Sequence, residues 1–126
     1  MKIRLDKADK AFSLYIRLRD GKCVRCGRRG EEDKDGNPII GLQCSHYFGR
    51  ANENTRFNEA NCDSLCFGCH EFWGSRNHED YRKFKIKQLG EKGFDDLVIQ
   101  AYLHKKKDRK LSYVIAKELL KKIKAN

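Results

Sequence analysis

The chain has 126 residues, 39% hydrophobic and 37% charged. That is enough for one domain with one modest core, and too ordered a composition for a disordered chain. No apolar run approaches the roughly 20 residues of a membrane span, and the start, MKIRLDKADKAF, lacks the apolar segment of a secretory signal. A cytoplasmic location is expected, where thiols stay reduced. The net charge of +10 points to a polyanionic partner, nucleic acid before an anionic membrane surface. A core this small often needs a staple, so the six cysteines suggest metal more than disulfides.

In chain order, LDKADKAFSLYIRLRDG reads as a helix, with Leu5, Ala8, Phe12, Tyr15 and Ile16 at three-to-four spacing and Gly21 as its stop. A knuckle, CVRCGRRG, and a polar turn, EEDKDGNP, follow. IIGLQCSHYF alternates as a strand, and GRANENTRFNEAN reads as a loop. A short helix is predicted from about Cys66 to Trp73, ended by Gly74. Asn77 would cap the next helix, whose apolar face is Tyr81, Phe84 and Leu89 and whose stop is Gly90. Phe94, Leu97, Val98, Ala101 and Tyr102 form a further stripe, and Leu111, Val114, Ile115, Leu119 and Ile123 another. There is no internal repeat and no low-complexity linker, so one α+β domain over residues 1–126 is the simplest reading.

Cys23 and Cys26 form one C-x-x-C pair, and Cys66 and Cys69 a second. Two intervening residues let both thiolates of a pair reach one ion, and two pairs complete the tetrahedral set that zinc favours. The 39 residues between Cys26 and Cys66 make the ion a staple between distant segments, which removes unfolded-chain entropy. A closed four-cysteine site is structural and has no position open to substrate. A redox C-x-x-C ordinarily occurs singly, so two pairs favour metal. The spare thiols, Cys44 and Cys62, read as small buried side chains.

His46, Asn61 and His70 remain. Alone, a strand histidine is ordinarily a partly buried side chain, and an asparagine before a helix is ordinarily a cap. Together they follow an order: a strand ending near His46, a loop, then NCDSLCFGCH opening a helix. With SLYIRLRDGKCVRCGRRG, LQCSHYFGR and TRFNEANCDSLCFGCH, this resembles the HNH, or ββα-metal, nucleases over about residues 12–90. It looks most like the small phage and prophage nicking endonucleases of that family that carry a zinc knuckle.

That resemblance implies a ββα-metal core with a structural four-cysteine zinc site, flanked by N- and C-terminal helices, the last segment, about 91–126, being a helical extension. It implies a metal-dependent endonuclease that nicks DNA with little sequence specificity, encoded by a phage or its bacterial host. His46 would be the general base, Asn61 would hold the loop so that His46 keeps its aim, and His70 would ligate a catalytic Mn²⁺ or Mg²⁺. The family commonly has Asp where this chain has Ser45, so Ser45 would be a weak or water-mediated ligand to that ion. Arg50, Arg56 and Arg76 flank the site and would contact nucleic-acid phosphates. The implied partner is DNA, with no membrane and no small-molecule cofactor, in a monomer or homodimer. Two rivals are a zinc-knuckle DNA-binding or recombination-accessory protein that does not cut, and a zinc-stabilised interaction module. His78 and His104 read as surface residues, and the lysines of KKKDRK and KKIKAN as a basic face giving sequence-blind affinity.

Overall fold

Helix α1, Lys7–Asp20, starts where a side chain can satisfy its free N–H groups. The Asp9 amide donates to Asp6 Oδ1 at 3.0 Å, and the Asp6 amide donates back to Asp9 Oδ2 at 2.8 Å. Gly21, at φ 68°, closes the helix in the left-handed region. Ala8, Phe12 and Ile16 share the buried stripe. The computed structural model describes residues 5–103 and 109–125, so His104 and the basic stretch Lys105, Lys106 and Lys107 lie outside the described residues.

After the knuckle, β1 (Glu31–Glu32) pairs antiparallel with β2 (Pro38–Ile40) across a turn in which Asp33 Oδ1 accepts from the amides of Asp35 and Asn37. The segment 39–48, expected as one strand, is divided. Gly41 at φ 95° turns the chain out of extended geometry, and β3 (Leu42–His46) pairs with a different partner, β4 (Cys62–Cys66). In this antiparallel ribbon Cys44 lies opposite Ser64 and His46 opposite Cys62, while Gln43 faces Leu65 and Ser45 faces Asp63. Successive strand residues alternate faces, so Cys44, His46 and Cys62 share one face and Gln43, Ser45 and Asp63 the other.

α2 (Phe67–Glu71) runs on into a wider turn over Phe72–Arg76, past Gly74 where a stop was expected. The Asn77 amide donates to the Phe72 carbonyl at 2.8 Å, and Trp73 stacks on Tyr81 with centroids 4.5 Å apart, which keeps the turn wound. Asn77 caps α3 (His78–Tyr102) by accepting from the Asp80 amide at 3.0 Å. Gly90, at φ 77° and ψ 165°, breaks α3 into two helical arms. α4 (Arg109–Ala125) lies along α1.

Two apolar clusters occupy the two faces of the β3–β4 ribbon. One joins Leu65, Trp73, Tyr81, Phe94 and Leu97; the other joins Phe12, Ile16, Cys44, Cys62 and Ala116. Phe94 and Leu97, from the helical arm after Gly90, fill the first cluster, and Ala116 of α4 joins the second. The α4 stripe differs from expectation: Ala116 is buried and Leu119 packs on the second cluster, while Leu111, Val114 and Ile115 stay about half exposed. The small Ala116 lets α4 sit close on α1, and that seam selects which face turns inward. On the face of the first cluster, Lys85 and Asp63 form a fully buried ion pair at 3.0 Å, completed by Tyr81 and Gln88, which donate to Asp63 at 2.9 Å each. The described residues thus make an α+β fold of four helices and two small sheets. No described helix is long and apolar enough to cross a membrane.

Candidate functional site

Cys23, Cys26, Cys66 and Cys69 place their sulfurs within 4.8 Å of one another, a group that can hold one metal ion. The Cys26 and Cys66 sulfurs are 3.8 Å apart, the spacing of two ligands on one tetrahedral zinc with Zn–S bonds of about 2.3 Å. The knuckle is wound by the Gly27 amide donating to the Cys23 carbonyl, with Gly27 at φ 80°, and is tied to β4 by the Val24 amide donating to the Ser64 carbonyl at 2.9 Å. Burial raises the Cys23 thiol, but N–H groups of Cys26, Cys66 and Arg25 outweigh it and bring it down to about 7. Burial and the neighbouring sulfurs push Cys69 up to about 12, although Arg25 donates to its sulfur at 3.3 Å. Cys23 and Cys69 are thus moved in opposite directions within one crowded group of thiols, and a dication there would relieve the repulsion between thiolates.

A cleft of about 410 Å³ is lined by Leu5, His46, Gly49, Arg50 and His70. His46 ends β3, and His70 stands on α2 directly after a knuckle cysteine, so the ribbon and the cysteine turn together bring the two rings to one cleft. His46 donates from Nε2 to the Arg56 carbonyl at 3.0 Å, which leaves the lone pair on Nδ1, a buried atom with no partner. Burial first, and the Arg50 guanidinium second, hold His46 down at about 4, so the ring is neutral at pH 7. His70 donates from Nδ1 to Gln43 Oε1 at 2.5 Å, which leaves its Nε2 as an acceptor; burial and Arg50 lower its pKa too. Asn61, fully buried, spans the loop. Its Oδ1 accepts from the Phe48 amide at 2.8 Å, and its Nδ2 donates to the carbonyls of Phe48 at 3.0 Å and Thr55 at 3.1 Å.

Other expected site residues stand elsewhere. Ser45 is buried on the opposite ribbon face from His46, hydrogen-bonded to the Tyr81 hydroxyl, and does not line the cleft. Arg56 is 4% exposed and grips Asp9 in a two-pronged pair, Nε to Oδ1 at 2.7 Å and Nη2 to Oδ2 at 2.6 Å. It is a buried joint between the loop and α1 and offers no surface to nucleic acid. Arg76 is exposed at the end of the wide turn, and Arg50 lines the cleft. His78 stacks on Tyr47, centroids 4.8 Å apart. Sequence reasoning missed Gln43, which accepts from His70; strand parity sets it on the face opposite His46, so no local signal pointed to it. It also missed a groove of about 480 Å³ beside the knuckle, where Arg28 and Arg29 flank the exposed ring of Phe67.

One family model matches residues 2–126, and its description is Bacteriophage Lambda NinG protein. No curated protein matches the chain, and no solved structure does. The family match corrects the resemblance to the HNH nucleases, because the model that spans the chain is not one of theirs. The reason is physical. Paired C-x-x-C turns with histidines and an asparagine nearby are set by the demands of ion and turn, so such motifs, even spread over about residues 12–90, identify a chemistry before they identify a lineage. Taken over nearly its whole length, the chain belongs to the bacteriophage lambda NinG protein family.

Proposed function

We propose that the protein hydrolyses phosphodiester bonds of DNA in a divalent-cation-dependent reaction at the cleft of His46, Arg50 and His70. One observation carries this reading. Two imidazoles, each with one nitrogen pinned to a protein acceptor and the other left with its lone pair, meet an arginine in one cleft. In this mechanism neutral His46 takes the proton of a water directed at phosphorus, which must reach the buried Nδ1, the nitrogen that the Arg56 carbonyl leaves free. Arg50 holds a non-bridging phosphate oxygen. Asn61, by bridging Phe48 and Thr55, keeps the loop and hence the Arg56 carbonyl in place, which fixes the aim of His46. His70, oriented by Gln43, is the protein ligand for a cation, and among the described residues the cleft lining offers no carboxylate beside it. That donor set fits an ion bound partly through substrate phosphate and water, and Mn²⁺, which accepts imidazole more readily than Mg²⁺, fits it better. When bound, the ion would stabilise charge on the leaving 3′ oxygen. The products would be a 3′-hydroxyl and a 5′-phosphate, and one such cleft per chain would nick one strand.

The experiment is incubation of supercoiled plasmid with Mn²⁺ or Mg²⁺, followed by a gel. Wild type should convert it to the nicked form. His46→Ala should keep fold and DNA binding yet lose roughly 10²–10⁴-fold in rate; cutting at the wild-type rate would falsify the assignment. The cleft without a carboxylate, and the burial of Ser45 away from it, favour a second reading, a recombination-accessory DNA-binding protein that does not cut. Intact plasmid in every metal, with DNA still bound, would select that one.

A further inference from the structure

We propose that Cys44, Cys62 and His46 form a second cation site, selective for a thiophilic metal and buried between the β3–β4 ribbon and α1. The register builds it. His46 lies directly opposite Cys62, and Cys44 precedes His46 by two residues, so all three side chains leave the same ribbon face. The two sulfurs and a ring nitrogen of His46 lie within 4.8 Å of one another. Cys44 and Cys62 are 4% and 0% exposed. Nε2 of His46 is engaged by the Arg56 carbonyl, and Nδ1 is buried without a partner, an orphan that a cation would satisfy.

The geometry favours an ion over a disulfide. Cys44 and Cys62 are diagonal neighbours in the ribbon, a relation that sets Cα atoms about 7–8 Å apart, outside the usual disulfide range. Two metal–sulfur bonds of about 2.3 Å bridge a wider gap. Charge agrees. On binding, both thiols release their protons to solvent, and two thiolates, a dication and a neutral imidazole sum to zero. A neutral assembly suits the surrounding Phe12, Ile16 and Ala116. Two thiolates and an imidazole select soft or borderline ions such as Zn²⁺ or Cd²⁺ over Mg²⁺ and Mn²⁺. The set differs from the knuckle in offering three protein ligands instead of four. An ion there occupies the lone pair of His46, so loading it should silence hydrolysis. That consequence rests on the hydrolase reading above; the site itself does not.

The probe is Cd²⁺, added in slight excess to the full-length, zinc-loaded protein, with total bound Zn plus Cd counted after desalting and thiolate–Cd²⁺ absorbance followed in the ultraviolet. Wild type should hold two ions per chain. Cys44→Ala and Cys62→Ala should each hold one, the knuckle ion, and lose the second absorbance step. His46→Ala should bind the second ion roughly tenfold more weakly or worse. Circular dichroism and the retained knuckle ion verify that each variant is folded, and the wild-type count decides even if a variant fails to fold. One ion per chain in wild type overturns the site, as does a second ion held equally by wild type and Cys44→Ala. A protein that binds the second ion and never nicks in any condition overturns the hydrolase reading and leaves the site standing.

Discussion

His46 titrates far below its solution value, and the displacement has a measurable sign. Burial and Arg50 hold it at about 4 in the folded protein, against 6.5 when exposed. Between those values the unfolded chain takes up a proton that the folded one refuses. The contribution of His46 to stability is therefore present above pH 6.5, falls as pH drops toward 4, and is constant below that. Urea unfolding of wild type and His46→Ala at several pH values isolates it: the difference between them should change through this window and be flat outside it. Catalysis should follow the same ring, with an acid limb near pH 4–5; an acid limb at 6.5 would show a solvated histidine acting instead. Arg56 is the second residue whose environment decides its role. Arg56→Ala removes the two-pronged partner of buried Asp9 and leaves it, among the described residues, only Arg109 at 3.7 Å and the Asp6 amide, so the loss should approach that of a broken buried pair, about 3–5 kcal/mol. The expected phenotype is a lower urea midpoint with little change in the salt dependence of DNA binding.

At the scale of elements, the knuckle and α2 form one unit because the second C-x-x-C spans the junction of β4 and α2. An ion held by the four cysteines would join this junction, and its binding energy would then be folding energy. Cys66→Ser should reduce bound zinc from about one per chain to a small fraction and cost several kcal/mol or abolish folding; zinc analysis beside a thermal melt tests this, and an unchanged melt in zinc-free protein would count against a structural role. The same unit carries His70, so loss of zinc should also displace it from Gln43, and activity should disappear with the metal even where the rest of the fold survives. Ser45→Asp, by contrast, would put a carboxylate beside Asp63 and Tyr81 on the far ribbon face. It should destabilise the buried Lys85 pair and leave metal preference in the cleft unaltered.

For the whole molecule, the excess of Lys and Arg sets how it meets a polyanion. The logarithm of DNA affinity should fall linearly with the logarithm of salt, with a slope near roughly −0.9 per phosphate neutralised. Arg28→Ala with Arg29→Ala, at the groove beside the knuckle, should flatten that slope while leaving zinc content alone. A salt-independent affinity would argue against nucleic acid as partner. The two apolar clusters on opposite ribbon faces also mean that the His46–His70 cleft is held from both sides, by α1 and α4 through the second cluster and by α3 through the first.

Much of this organisation is written in local sequence. Gly21 and Gly90 ended helical arms where expected, because a backbone at positive φ needs glycine whatever surrounds it. The paired C-x-x-C turns were legible because two-residue spacing alone sets the reach of two thiolates. Gly41, read as part of a strand, splits it, since a single glycine is tolerated in an extended run until its φ is known. Features depending on distant partners were not legible. Arg56 was read as a phosphate contact, but its partner, Asp9, lies 47 positions away. The α4 stripe was ambiguous because two overlapping apolar faces satisfy one helical period, and the seam at Ala116 chose between them. Family membership was misread for a related reason: ligand spacing is set by the ion and the turn, while lineage is carried by the whole chain. The sequence by itself determined the paired cysteine turns, the helix ends at Gly21 and Gly90, and the charge. Only the tertiary structure decided which face of the ribbon each residue occupies, because that depends on strand register, and register is chosen by the long-range packing of α1, α3 and α4 against the two faces.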